Sequence, residues 1–209
     1  MKKGLILLIL AGTLLFLSAN AGAQDISPLE GSQREDAVIS STFTDIQGHW
    51  AEKDIEAAYK LGILRDIQGI TPEKFGPQEI ITGNDLILSL EKLFELKMGK
   101  ENNKTGELIS MFEDPTKPAV RMEAAQVIEQ AFKINGLSVI TTQIYPVFDD
   151  TADVTSEESS ALSFVFNTGI MKGKTQKIFA PNDPVTRAEL AVILNRTSRV
   201  LELAEPIEK

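Results

Sequence analysis

The chain has 209 residues, 43% of them apolar, and carries 30 acidic side chains against 21 basic ones, for a formal charge of −9. Acid in that excess excludes binding to nucleic acid or to an acidic surface by bulk electrostatics, so any anion the chain holds needs a locally basic pocket. Cysteine is absent, which excludes disulfide staples, and a single histidine, His49, leaves two-imidazole metal sites and histidine-centred triads poorly supplied.

Residues 1–23 read as a secretory signal peptide: Lys2 and Lys3 precede an apolar run over 5–17, and Ala21-Gly22-Ala23 offers small residues for cleavage. That run is shorter than the ~20 residues that cross a bilayer. No later run reaches that length, so the expected mature chain spans no membrane, lies outside the cytoplasmic membrane and carries a formal charge of −11, two lysines having gone with the signal. Residues 24–42, polar with Pro28 and Gly31, read as a linker.

From residue 43 onward the pattern is helical. Ala51, Ile55, Ala58 and Tyr59 recur at helical spacing and Gly62 sits where a left-handed residue ends a helix, predicting a helix over 51–61. Thr82 and Asp85 form a capping box for a second, over 84–96. Residues 99–111 are too few for a full helix before the third, over 122–132, where Ala124, Val127, Ile128, Ala131 and Phe132 share a face. Asn135-Gly136 closes it, and 137–147 is an apolar, β-prone connector. Thr155 and Glu158 cap a helix over 157–168 that Gly169 ends. Pro181-Asn182-Asp183-Pro184 then forces a turn, and Thr186 with Glu189 caps the last helix, over 188–200, before the chain frays through 202–209. Little sheet is expected beyond a short extended pair in loops such as 172–178.

Two stretches 104 residues apart share this grammar. Phe75, Pro77, Thr82, Asp85 and Leu86 lie over Phe179, Pro181, Thr186, Glu189 and Leu190; upstream, Gly62-Ile63-Leu64 answers Gly169-Ile170-Met171 and Phe43-Thr44-Asp45 answers Phe148-Asp149-Asp150. Halving the period points to Phe112-Glu113-Asp114-Pro115 through Arg121-Met122-Glu123 as a middle copy that has lost its first half. Each full unit is helix, loop, helix, and the three second helices are expected to pack together as a shared core.

Arg187 does not fit a purely structural account of its turn, because it puts a cation at the positive end of a helix dipole. Either an acidic side chain compensates it, or an anionic ligand is held by its guanidinium and the free N–H groups of the helix start. Lys172, Lys174 and Lys177 make the preceding loop the most basic stretch of the chain, and beside Arg187 they would form such a pocket.

Phe43-x-Asp45-Ile46-x-x-His49-Trp50-Ala51, Gly62-Ile63-Leu64, Phe75-x-Pro77 and above all Val185-Thr186-Arg187-Ala188-Glu189-Leu190 resemble the S-layer homology motif. The resemblance implies a mainly α, pseudo-threefold domain of helix-loop-helix units around a shared helical bundle, with repeats at 43–98, 104–136 (degenerate) and 148–203. It implies a noncovalent hold on an anionic, pyruvylated secondary cell-wall polysaccharide, to which the arginine of the Thr-Arg-Ala-Glu turn contributes, and a place at the cell wall or cell surface. The first copy departs from the motif in having Gly83 for the arginine and Asp66 where the last has Gly173, and the last has Ser156-Glu157-Glu158 where the first has His49-Trp50-Ala51. The candidate ligand-binding set is Arg187, Arg121, Thr186, Glu189, Trp50, Asp45, Asp150, Lys172 and Lys174, with Trp50 either stacking on a sugar face or packing in the core. Asp149, Asp150, Asp153, Glu157 and Glu158 form an acidic cluster without the ligand spacing of a calcium loop, and helix capping accounts for most of it. No motif picks out a catalytic pair, so no enzyme, cofactor or metal is expected. The competing expectation is a degenerate scaffold that builds a surface layer or binds a surface protein.

Overall fold

A computed structural model describes residues 43–142 and 144–207; the signal peptide and linker expected over 1–42 lie outside the described residues. The helices are α1 (Glu52–Lys60), α2 (Gly83–Met98), α3 (Arg121–Ile134), α4 (Ser156–Asn167) and α5 (Arg187–Glu202), with 3-10 turns at Lys100–Asn102 and Thr105–Met111. Their starts agree with the sequence-based boundaries to within a residue because the caps are local. Thr82, Thr155 and Thr186 each accept the amide of the third helical residue, and Asp85, Glu158 and Glu189 reach back to the cap's own N–H. Val120, before α3, has no side-chain acceptor, and there only the return bond forms, from the Val120 N–H to Glu123 Oε2 at 2.8 Å.

The stretch 99–111 carries two 3-10 turns and no α-helix. Among the described residues, strand is confined to β1 (Leu137–Ser138) paired antiparallel with β2 (Glu205–Pro206), so the expected frayed tail is tied down, by Ile207 N–H to Gly136 O at 2.8 Å as well. The loops expected to hold an extended pair close instead on single turn bonds, Thr71 N–H to Lys74 O and Thr175 N–H to Ile178 O.

Each second helix is covered by the first half of a different unit. α1 packs on α5, α4 on α3, and the turn Thr105–Met111 on α2. A polar residue at the same place in two of these seams fixes the fit: Asn195 Nδ2 donates to Asp54 O at 2.7 Å across α5 and α1, and Glu129 Oε1 accepts from Ser160 Oγ at 2.6 Å across α3 and α4. The expected three-way packing of α2, α3 and α5 needs correcting. α2 meets both of the others, but α3 and α5 do not approach along their lengths, their apolar faces being covered by α4 and α1. Phe132 joins Phe94 of α2 to Phe164 of α4 with ring centroids 5.4 and 5.2 Å away, and the buried apolar residues form one continuous core.

What brings the helix starts together is the backbone before each of them. The Ile81 N–H donates to Val185 O, the Val185 N–H to Ala119 O, and the Ala119 N–H to Ile81 O, at 3.0, 2.9 and 3.0 Å, a closed cycle of three. All three residues are fully buried. Ala119→Pro removes one donor of this cycle at a site with no room, and unfolding in urea should report a loss of about 3 kcal/mol or more. Ala119→Gly keeps the amide and should cost only about 1 kcal/mol; equal losses for both variants would mean the cycle carries no particular share of the stability.

Candidate functional site

The cycle extends into the first turn of each helix. The amides of Gly83 and Asn84 donate to Lys117 O and Pro115 O, those of Arg121 and Met122 to Asp183 O and Pro181 O, and those of Arg187 and Ala188 to Glu79 O and Pro77 O, all between 2.8 and 3.1 Å. The helix-start N–H groups expected to hold an anion are therefore occupied by carbonyls of the neighbouring turn.

Among the described residues no acidic side chain pairs with Arg187. Its Nη1 donates to Phe75 O at 2.8 Å and its Nη2 to Gln68 O at 2.6 Å, strapping α5 to the loop of the first unit, while its Nε is buried without a hydrogen-bond partner. The negative ends of two peptide dipoles take the place of the acidic side chain that was one expectation. The fit needs glycine: a Cβ on Gly76, whose φ is 70°, would lie 2.6 Å from Nη1. Arg121 repeats the arrangement one unit on. Its Nε donates to Phe179 O at 2.9 Å and its Nη2 to Lys172 O at 2.7 Å, with its guanidinium carbon 4.8 Å from the centre of the Phe179 ring. Gln68 and Lys172 stand at the same distance before Phe75 and Phe179. Gly83 holds the corresponding place on α2, where the middle stretch offers no such loop and the Phe112 ring closes the space, 2.9 Å from where a Cβ would be.

Asp45 and Asp150 hold the same loops from the other side. Asp45 accepts the amides of Phe75 and Gly76 at 2.9 and 2.7 Å, and Asp150 those of Phe179 and Ala180 at the same distances. Burial acts to raise both pKa values, but the two backbone amides outweigh it and hold both carboxyls below the usual range. Both pairs of oxygens are thus committed within the protein.

A cleft of about 370 Å³ lies on α5 and draws on residues far apart in the chain. Trp50 comes from the start of α1, Arg121 from the start of α3, Lys172, Gly173 and Lys174 from the last loop, and Glu189, Val192, Ile193 and Arg196 from α5. Of the candidate residues it gathers Trp50, Arg121, Lys172, Lys174 and Glu189. Arg187, Thr186, Asp45 and Asp150 are not among its lining residues, so the lysines of the last loop meet Arg121 rather than Arg187. Arg121 accordingly lines the cleft beside the last loop. Its burial pulls the guanidinium below its usual pKa, partly offset by Glu189, Asp183 and Asp150, and it stays a cation. Glu189 Oε1 lies 3.7 Å from Nη1. Lys174 pairs with Asp183, and Lys172 makes no ion pair among the described residues. Trp50 is 65% exposed, which removes core packing as its role, and His49 beside it accepts the Ala51 N–H and bonds Gln78, a cap for the α1 turn. Gly173 forms part of the floor, since a Cβ there would run into Thr175 O and the Phe148 ring. Arg196, half-buried on α5, is the lining cation that sequence patterning missed; only its place seven residues after the capping-box glutamate, on the helix face of Val192 and Ile193, marks it.

The acidic cluster is elsewhere. Asp149, Asp150, Asp153 and Glu158 border a separate cleft of about 330 Å³, and among the described residues no three or more potential ligands converge on a metal position. Among those residues, too, no helix is long and apolar enough to cross a membrane.

Two measurements test the clamps. Arg187→Ala should lower the unfolding free energy by about 2–3 kcal/mol through two lost charge-assisted bonds, and Arg187→Lys should restore only part, since one ammonium cannot reach both carbonyls in the same geometry. An unchanged urea midpoint for Arg187→Ala would remove the structural role. Because Asp45 and Asp150 have depressed folded-state pKa values, the stability they contribute is present above their unfolded value of 3.8 and is lost as pH falls through the folded value. The wild-type chain should therefore weaken steeply below about pH 4, and Asp45→Asn with Asp150→Asn should flatten that part of the profile; a double variant with the wild-type acid slope would contradict it.

Comparison with known proteins bears on what the cleft does. No curated protein matches the chain. A family model, the S-layer homology domain, matches residues 42–86 and 147–191.

Proposed function

We propose, from the premise that this chain is an S-layer homology domain protein with two recognisable repeats, that it holds an anionic, pyruvylated secondary cell-wall polysaccharide in the cleft on α5. S-layer homology domains are in general modules that anchor to the cell wall or surface by binding secondary cell-wall polymer, and the module itself is not catalytic. The observation that carries the finer assignment is the charge of the cleft. In a chain of net charge −9, Arg121, Lys172, Lys174 and Arg196 line one space; Glu189 faces Arg121 and Asp183 pairs with Lys174, which leaves Lys172 and Arg196 uncancelled, with an exposed indole at the rim.

An acidic ketal or similar anion on the glycan meets Lys172 and Arg196, and a sugar ring lies on the face of Trp50. Arg121 contributes its field while its loop bonds fix the floor. Arg187, Thr186, Asp45 and Asp150 act as positioning residues that hold the loops in place. We also assign 104–136 as a degenerate repeat and the whole as a pseudo-threefold array; the closed cycle of Ile81, Ala119 and Val185 and the cyclic exchange of turn carbonyls support this. Export by the signal peptide at 1–23, and a working place at the cell wall or cell surface, belong to the same proposal.

A second assignment, a scaffold that meets another surface protein, is favoured by a different feature. The connector from Gly136 to Phe148 carries no charged residue, and its Ile140, Tyr145 and Val147 are 92, 73 and 87% exposed.

Co-sedimentation with protein-free, pyruvylated walls separates the two. Wild-type chain should pellet with the walls and stay in solution with walls stripped of their pyruvate. Trp50→Ala should weaken binding by roughly five- to tenfold with an unchanged thermal midpoint, as fits loss of a stacking contact of about 1 kcal/mol or slightly more from an exposed position. Folded wild-type protein that stays in the supernatant with intact walls would sink the glycan assignment.

A further inference from the structure

The caps put α2, α3 and α5 in one register, so their grooves can be compared position by position. Asp85, Glu123 and Glu189 hold the third helical position, and seven residues further on stand Lys92, Gln130 and Arg196. Those last three residues each line the cleft on their own helix.

The three clefts differ in charge. On α3, a cleft of about 330 Å³ is lined by Leu108, Met111, Gln126, Glu129, Gln130 and Glu157, with two carboxylates and no cation. Glu129 is tied to Lys133 and Ser160, and neither brings a free positive charge into the space. On α2, a cleft of about 180 Å³ has Lys92 as its only cation, and there the ammonium is paired with Asp66, while Glu95 faces it from the same helix. The arginine that stands to the first unit's loop as Arg121 does to the last one is Arg187, bonded to Phe75 O and Gln68 O, and it is not among the residues that line this cleft. The α5 cleft alone combines cations from the loop, the neighbouring helix start and its own helix. Arg196 makes no ion pair among the described residues and only a long bond, 3.4 Å, to Ile170 O.

Resting on the wall-binding assignment above, we infer that the chain takes one anionic glycan end per molecule, in the α5 cleft, and that Arg196 is the residue of the helix itself that sets this face apart from those carrying Lys92 on α2 and Gln130 on α3. The clefts on α2 and α3 reject an anion, the first because its lysine is neutralised and the second because its only charges are negative. A single attachment point makes wall binding monovalent, without the gain in avidity that two or three grooves would bring.

Titration calorimetry of the full chain with short, singly pyruvylated oligosaccharides released from wall polysaccharide tests both parts. One site per chain is expected. Arg196→Gln, which writes the α3 residue into α5, should weaken binding about tenfold, as fits loss of one charge-assisted contact, and Arg196→Lys should keep part of it. Lys92→Gln and Gln130→Ala should leave affinity and stoichiometry unchanged. Two or three equivalents per wild-type chain would overturn the inference while leaving the wall-binding assignment standing, and so would wild-type affinity in a natively folded Arg196→Gln. Wild-type chain that binds no oligosaccharide would overturn the wall-binding assignment itself, and the inference with it.

Discussion

Three backbone hydrogen bonds, linking Ile81, Val185 and Ala119 head to tail, join segments that lie as far as 104 residues apart in the chain. Closing loops of that length costs entropy that the bonds alone do not return. They persist because each sits at the buried foot of a helix whose first two amides then find carbonyls in the next turn round the cycle. The orphan donors of three helix starts are satisfied by one another's turns, and this mutual dependence fixes where every loop must go.

The arginines follow from that geometry. A residue at the first helical position points across the cycle toward the loop of the neighbouring unit, where the chain ends a turn with unpaired carbonyls. Arg187 and Arg121 fill two of those places with the same pair of bonds, while the third, where the middle stretch is too short to form a loop, has a glycine packed under Phe112. The short middle stretch and the glycine at that helix start belong to one packing arrangement. The aspartates of the two Phe-x-Asp patterns hold the same loops by their amides, so each full loop is gripped at both ends, by a carboxylate and a guanidinium.

The α5 cleft draws its residues from the starts of α1 and α3, the last loop and α5, and it exists only when the cycle is closed. Its positive charge is local: acid elsewhere keeps the chain strongly anionic, while Glu189 and Asp183 hold Arg121 and Lys174 in place without cancelling Lys172 and Arg196. An acidic chain can in this way still present a confined site for an anion, because the field within a cleft is set by the nearest charges.

Helix positions were legible in the chain to within a residue at their starts, since caps such as Thr186 with Glu189, and the apolar period behind them, are chemistry within one turn. The repeat of the Phe-x-Asp and Gly-Ile patterns likewise disclosed the two stretches that the family model matches. What the chain could not disclose was which unit each side chain serves. Arg187 reads as a member of the loop beside it in sequence, yet the cycle carries it to residues 68–76, and Arg121, read as part of an incomplete groove, lands in the complete one. Nor could the α3 and α5 faces be known to part company, because α1 and α4 were free on paper to cover any neighbour. Sequence determined the elements by local hydrogen bonding and periodicity; the tertiary structure decided their partners, because the cyclic exchange of turn carbonyls acts only between segments that the folded chain has already brought together.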